Sequence, residues 1–365
     1  MNSRLKHLTD WMKETETDFS FITLPDNVFY LSNFRSDPHE RVLAVGVFQQ
    51  EEPFLICPQM EAAEAKKAGW EHEIIGYSDI MDPWEAIKKA VQSRLASVQK
   101  IALEKEHLNI SRYEQIASRF PGASFIGLDE KLNDLRMIKD EEEIRLMRKA
   151  AEYADYAVQV GVAEIKEGKT ELEIIAAIEY ELKKKGISEM SFSTMVLSGK
   201  NAASPHGTPG STKVKKGDFV LFDLGIVYKG YCSDITRTVA YGEITKEQET
   251  IYQTVLKAQQ AAVIAVKPGI PLKELDLTAR NIISQAGYGK FFPHRLGHGL
   301  GISVHEYPSV TETNELALKK GMVFTIEPGI YVQETAGVRI EDDVVVTDHG
   351  VEVLTKYPKE LQIIP

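Results

Sequence analysis

At 365 residues the chain exceeds the usual size of one domain, so two domains, each able to bury its own core, are expected. Hydrophobic residues at 43% and charged residues at 27% exclude a disordered or fibrous chain, and a net charge of -11 argues against a nucleic-acid partner, whose phosphates are neutralised by Lys and Arg. Two cysteines, Cys57 and Cys232, cannot build a disulfide framework and fit a reducing compartment.

The first residues, MNSRLKHLTDWMKETETD, are studded with charge and lack the apolar core of a secretory signal; no later stretch approaches a membrane-spanning length. A cytoplasmic protein without membrane contact is expected. From residue 19 to about 128, short apolar runs (FSFITL, VLAVGVF, PFLICP, HEIIGY, KIALEK, ASFIGL) alternate with helix-like stretches, the pattern of a small α/β domain. A long helix follows: Asp140 with Glu143 has capping-box spacing, and Ile144, Met147, Ala151, Ala154 and Val158 recur with helical period. This spacing puts the domain boundary just ahead of the helix, giving domains 1–131 and 132–365.

The second domain contains an internal repeat. KKGDFVLFDLG at 215–225 aligns with KKGMVFTIEPG at 319–329, so Asp223 and Glu327 occupy equivalent places. Upstream, Gly168 to Gly186 and Gly269 to Gly287 both span 18 residues. Each half reads as helix, connection, β-hairpin. In the first hairpin a turn at Tyr228-Lys229-Gly230-Tyr231 lays Asp234 nearly opposite Asp223, with Cys232 and Thr236 as neighbours. In the second, Glu327 and Glu341 lie on strands joined through a loop containing Gly337. If the halves pack about a pseudo-twofold axis, four carboxylates converge, and without counter-charge their mutual repulsion is prohibitive. Two divalent cations remove that objection, and oxygen-dominated ligation favours Mn²⁺, with Co²⁺ and Zn²⁺ also acceptable. An acid in a hairpin is ordinarily an exposed ladder residue; the apolar surroundings of Asp223 and Glu327 argue otherwise, whereas Asp342 and Asp343 are assigned to the surface.

Three histidines, His294, His298 and His305, lie within FFPHRLGHGLGISVHEYP, where glycines 297, 299 and 301 permit close approach and let His298 reach a crowded centre as a nitrogen ligand. His206, on the Gly/Pro-rich NAASPHGTPG loop, is placed to cover the site.

These motifs together resemble the metallopeptidases of the pita-bread fold, the family of methionine aminopeptidases, aminopeptidase P, prolidase and creatinase. The carried pattern is Asp223, Asp234 eleven residues on, the His of GHGLG, the Glu of EPG and the Glu of VRIED, and LPDNVFYLSNF resembles the creatinase-type N-terminal domain. The resemblance implies an α/β N-terminal domain followed by an α+β pita-bread catalytic domain. It implies two divalent metal ions, with Asp234 and Glu341 bridging them, Asp223 on one, and His298 and Glu327 on the other. It further implies Glu327 as proton shuttle, His206 and His305 as catalytic histidines that contact the substrate, His294 as a further substrate-pocket histidine, and Tyr331 and Arg339 as substrate-binding residues that orient the ligands and donate hydrogen bonds to the intermediate. A homodimer is implied as well.

Retention of all five ligands, with the preceding domain, favours cleavage of small peptides with proline at the second position over a creatinase-like hydrolase or a non-catalytic binding module. Length and layout point to an Xaa-Pro dipeptidase (prolidase). Ser309 stands where many prolidases carry an arginine that clamps the substrate carboxylate. Arg295 or Arg339 could substitute; without a clamp, an Xaa-Pro aminopeptidase acting on longer peptides is the alternative.

Overall fold

The structure, a computed structural model, describes residues 3–205 and 207–365. The chain forms two compact units, Met1–Arg136 and Met137–Pro365.

In the first unit, all six apolar runs become strands of one mixed sheet. Its order is Glu73–Tyr77, Phe54–Pro58, Ala44–Phe48, Phe19–Ile22, Lys100–Leu103, Ser124–Gly127. The three central strands are buried along nearly their whole length and bring Phe19, Phe48 and Phe54 together, with the Phe19 and Phe48 rings stacked at 5.2 Å. Aromatic side chains of this size dominate a small core. The LPDN segment opens the helix Pro25–Ser32, and buried Glu104 accepts hydrogen bonds from Leu24 N at 2.8 Å and Asn27 Nδ2 at 2.7 Å, satisfying donors that a helix start leaves open.

The second unit is built twice from the same parts. In the first half, helices Glu141–Ala163 and Glu171–Lys184 pack on a sheet containing Met195–Ser198, Phe219–Leu224 and Ile235–Tyr241. In the second, helices Lys246–Ala265 and Leu272–Gln285 pack on a sheet containing Gly297–Gly299, Val323–Ile326 and Asp342–Val346. The strand connections match: the first named strand of each trio pairs antiparallel with the second, and the second with the third. Gly168, Gly186 and Gly217 have positive φ, as do their counterparts Gly269, Gly287 and Gly321. Even the isolated bridges correspond, Thr170 with Lys213 and Pro271 with Ala317. The long first helix begins with the expected box: Asp140 accepts from Glu143 N, and the Glu143 side chain accepts from Asp140 N.

Candidate active site

The four acids sit at or beside strand ends on the seam between the two halves. Asp223 lies within Phe219–Leu224, Asp234 immediately precedes Ile235–Tyr241, Glu327 follows Val323–Ile326, and Glu341 precedes Asp342–Val346. The register corrects the expected pairing in detail: Thr236 stands opposite Asp223, and Asp234 is displaced two residues along the same strand direction. A side-chain period of two still gives both acids the same face. The expected loop around Gly337 is also corrected. Gly337 lies inside the strand Ala336–Arg339 and pairs with Tyr331 of Gly329–Val332, so a small extra hairpin separates Glu327 from Glu341. A Cβ at Gly337 would lie 1.7 Å from the Ala202 carbonyl oxygen, which is why the position takes glycine.

Asp223, Asp234, His298, Glu327 and Glu341 converge on one cleft of about 390 Å³, which Phe192, Met195, Val304, His294, Arg295, His305, Tyr331 and Arg339 also line. The glycines beside His298 allow its approach: a Cβ on Gly297 would sit 1.9 Å from the Thr325 carbonyl oxygen, and one on Gly299 would sit 2.4 Å from that of Tyr307. His298 Nδ1 faces the Gly299 carbonyl at 3.1 Å and must carry the proton there, which leaves the lone pair on Nε2. That nitrogen looks at Glu327 Oε1, 3.4 Å away, and Asp234 Oδ2, 3.8 Å away. Burial pushes the His298 imidazole down to about 3, so it stays neutral and able to ligate.

These groups fit divalent cations. Asp234, His298 and Glu341 each offer one ligand atom within 4.8 Å of the others. Asp234 Oδ1 is buried without a hydrogen-bond partner among the described residues, an arrangement that ordinarily costs about 1–3 kcal/mol. Burial, compounded by the neighbouring acids, lifts Asp234 and Glu341 well above the usual carboxylate range, and burial lifts Glu327 to about 7. Carboxyls so placed can ionise together only with positive charge among them, and Arg339, the guanidinium against Asp223, is already engaged. Arg339 pairs with Asp223, donates to Tyr331 Oη at 2.7 Å and to Thr236 Oγ1 at 3.0 Å. Oxygen ligands with one imidazole suit Mn²⁺, Co²⁺ or Zn²⁺.

Supporting contacts extend outward in an ordered chain. The Tyr331 hydroxyl accepts from Arg339 and donates to His294 Nε2 at 3.0 Å, because His294 Nδ1 is committed to the Arg295 carbonyl at 2.7 Å. Burial raises Tyr331 to about 12, so it remains a phenol. Thr236 Oγ1 donates to Glu341 Oε2 at 2.6 Å, and Thr325 Oγ1 to Glu327 Oε1 at 3.3 Å. His305 stacks edge-on against His298, with ring centroids 4.1 Å apart, and is exposed where it lines the cleft. Arg295 Nη1 donates to Ser309 Oγ at 3.0 Å. His206 lies outside the described residues; Pro205 beside it lines the cleft.

The assignment of Asp342 and Asp343 to the surface is overturned: they are 0% and 1% exposed. Asp343 Oδ2 accepts the backbone N–H of Asp234 at 2.9 Å, holding a candidate ligand from behind. Asp342 meets Arg237 Nη2 at 2.7 Å and Lys359 Nζ at 2.5 Å; burial alone would raise its carboxyl, but these two cations hold it below the ordinary range. Asp342→Asn leaves Arg237 buried without its counter-ion. A loss of about 3–5 kcal/mol is expected, a drop in Tm on the order of 10 °C. Thermal unfolding checks this; an unchanged Tm would mean that the pair adds nothing to stability.

Residues 145–348 match metallopeptidase family M24, and residues 4–138 match the creatinase/prolidase N-terminal domain. The chain is 56% identical over 362 residues to a protein of Bacillus subtilis (strain 168) named "Putative dipeptidase YkvY", covering 99% of this chain and 100% of that one. Among solved structures, an Xaa-Pro dipeptidase from Bacillus anthracis superposes with a TM-score of 0.93 at 35% identity, with 99% of each chain covered. An X-Pro aminopeptidase from Thermotoga maritima superposes with a TM-score of 0.87 at 35% identity, covering 96% of this chain and 98% of that one.

Proposed function

This chain belongs to metallopeptidase family M24, with a creatinase-type N-terminal domain and a pita-bread catalytic domain, and on that premise we propose that it is an Xaa-Pro dipeptidase. The observation that carries the proposal is the meeting of five ligand-type side chains, Asp223, Asp234, His298, Glu327 and Glu341, in one cleft on the seam of a duplicated domain.

In this reading Asp234 and Glu341 would hold two cations jointly, Asp223 would complete one site, and His298 with Glu327 would complete the other. The bound pair would supply Lewis-acid activation of water and of the scissile carbonyl. The chain's own residues do the rest. Glu327, beside the reacting centre, takes a proton from the attacking water and returns it to the proline nitrogen. Arg339 holds Asp223 in its ligating orientation and, through Tyr331, fixes His294 at the cleft wall. His305 and His206 contact the substrate. Mn²⁺ is the expected metal, the working form a homodimer and the location cytoplasmic.

Dipeptide selection requires a receptor for the free carboxylate that follows proline, and a guanidinium fork is the natural one. Arg339 is spent on Asp223, Tyr331 and Thr236. Arg295 lines the cleft and is braced by Ser309 Oγ, the residue standing where many prolidases carry the clamp. Arg295 therefore takes the role. The second reading, an Xaa-Pro aminopeptidase, is favoured by the missing arginine at Ser309 itself.

A panel of Xaa-Pro, Xaa-Pro-Yaa and Xaa-Ala peptides with added Mn²⁺ separates these readings. The dipeptidase reading expects kcat/KM to be highest for Xaa-Pro. A clear preference for Xaa-Pro-Yaa would replace it with the aminopeptidase, and efficient cleavage of Xaa-Ala would remove proline specificity altogether.

A further inference from the structure

Behind the cleft, one guanidinium ties the two halves of the repeat together. Arg237 is 1% exposed and heads the fully buried side chains by volume. Its Nη1 donates to the carbonyl oxygens of Thr236 at 3.0 Å and Glu341 at 2.5 Å. Its Nη2 donates to Asp342 Oδ1 at 2.7 Å, and Nε and Nη2 both reach the Tyr357 carbonyl, at 2.9 and 2.7 Å. Asp342 in turn accepts from Gln259 Nε2 at 2.8 Å and Thr355 Oγ1 at 2.9 Å. Arg237 and Asp342 are themselves repeat equivalents: Arg237 pairs in register with Phe222, and Asp342 with Ile326, the residues just before Asp223 and Glu327.

This placement has a consequence for the site. The Thr236 carbonyl belongs to the strand that starts next to Asp234, and the Glu341 carbonyl belongs to the other jointly held ligand. A planar guanidinium presents its donors in a rigid fork, so it holds the two backbones at a fixed separation that a lysine, with one flexible donor head, cannot reproduce. Direct contacts reinforce the same seam: Glu341 N donates to the Thr236 carbonyl at 3.1 Å, and Asp234 N to Asp343 Oδ2 at 2.9 Å.

We propose that Arg237 is a positioning residue that sets the separation of Asp234 and Glu341, and with it the spacing of the two cations those carboxylates would share. The inference rests on the dinuclear reading above. Loss of the fork leaves every ligand in place yet detunes the pair. Outer contacts of this kind typically change metal affinity by about 10–100-fold.

The test is Mn²⁺ binding to stripped full-length protein, read by calorimetric titration and by electron paramagnetic resonance of the coupled Mn²⁺ pair. Arg237→Lys is expected to weaken the weaker-bound Mn²⁺ by about 10–100-fold and to alter the exchange-coupled spectrum. Should that variant fail to fold, Arg237→Met combined with Asp342→Leu removes the buried ion pair as a unit, a replacement that folded proteins often tolerate, and the same metal phenotype is expected. Asp155→Ala serves as the control. Asp155 accepts from Lys356 N and Tyr357 N and so anchors the same C-terminal strap without touching Glu341. Its Tm should fall while Mn²⁺ affinity and spectrum stay those of the wild type. Wild-type affinity and coupling in a folded Arg237 variant would overturn the positioning role. A wild-type protein that binds no second Mn²⁺ would instead overturn the dinuclear reading on which it rests.

Discussion

Glu327→Gln is expected to lower kcat on an Xaa-Pro dipeptide by about 10²–10⁴, the range typical of a lost general acid–base group. The amide is nearly isosteric, and its oxygen can still accept from Thr325 Oγ1, so the cleft should keep its shape. What disappears is an exchangeable proton at the right place, on a carboxyl that burial has already lifted to about 7. Metal affinity should fall as well, because a charged ligand is lost, so turnover must be measured at saturating Mn²⁺ with bound metal counted. Near-normal kcat with two metals bound would take the proton-shuttling role away from Glu327 and leave it a ligand only.

Removing metal should have the other large effect, on stability as well as activity. Ions that bind only the native state stabilise it by mass action, by about 2.7 kcal/mol per site at a free concentration a hundred times Kd. Two such sites give about 5 kcal/mol, which corresponds to a rise in Tm on the order of 10–20 °C for a unit of this size. The stripped protein retains Asp234, Glu341 and Glu327 buried against one another, so it carries the repulsion that the cations would relieve. Calorimetric scans in chelator and in excess Mn²⁺ check this. A Tm indifferent to Mn²⁺ would remove the structural case for a built metal site.

Much of this site was legible in the sequence because its chemistry is local. Asp223 and Glu327 sit in apolar runs where an exposed acid is out of place, and glycines flank His298 where backbone must come close. The duplication made the four acids a single pattern, and the six apolar runs of the first unit became its six strands. What stayed hidden is non-local. Asp342 and Asp343 read as surface acids because nothing within ten residues pairs with them; Lys359, Arg237, more than a hundred residues away, and the backbone of Asp234 do so only in the folded domain. The extra hairpin at 329–339 escaped for a related reason. Gly337 reads as a turn residue, while the structure uses it to let a strand pass against the Ala202 carbonyl. The brace from Arg295, in the irregular segment before Gly297–Gly299, to Ser309, in the strand Glu306–Val310, likewise has no sequence signal beyond the missing arginine.

The most direct measurement is a titration of Mn²⁺ into rigorously stripped protein while free proline released from an Xaa-Pro dipeptide is followed. No release is expected without metal, and turnover should rise to saturation at two Mn²⁺ per chain, whereas full turnover by the metal-free protein would rule out metal-dependent hydrolysis.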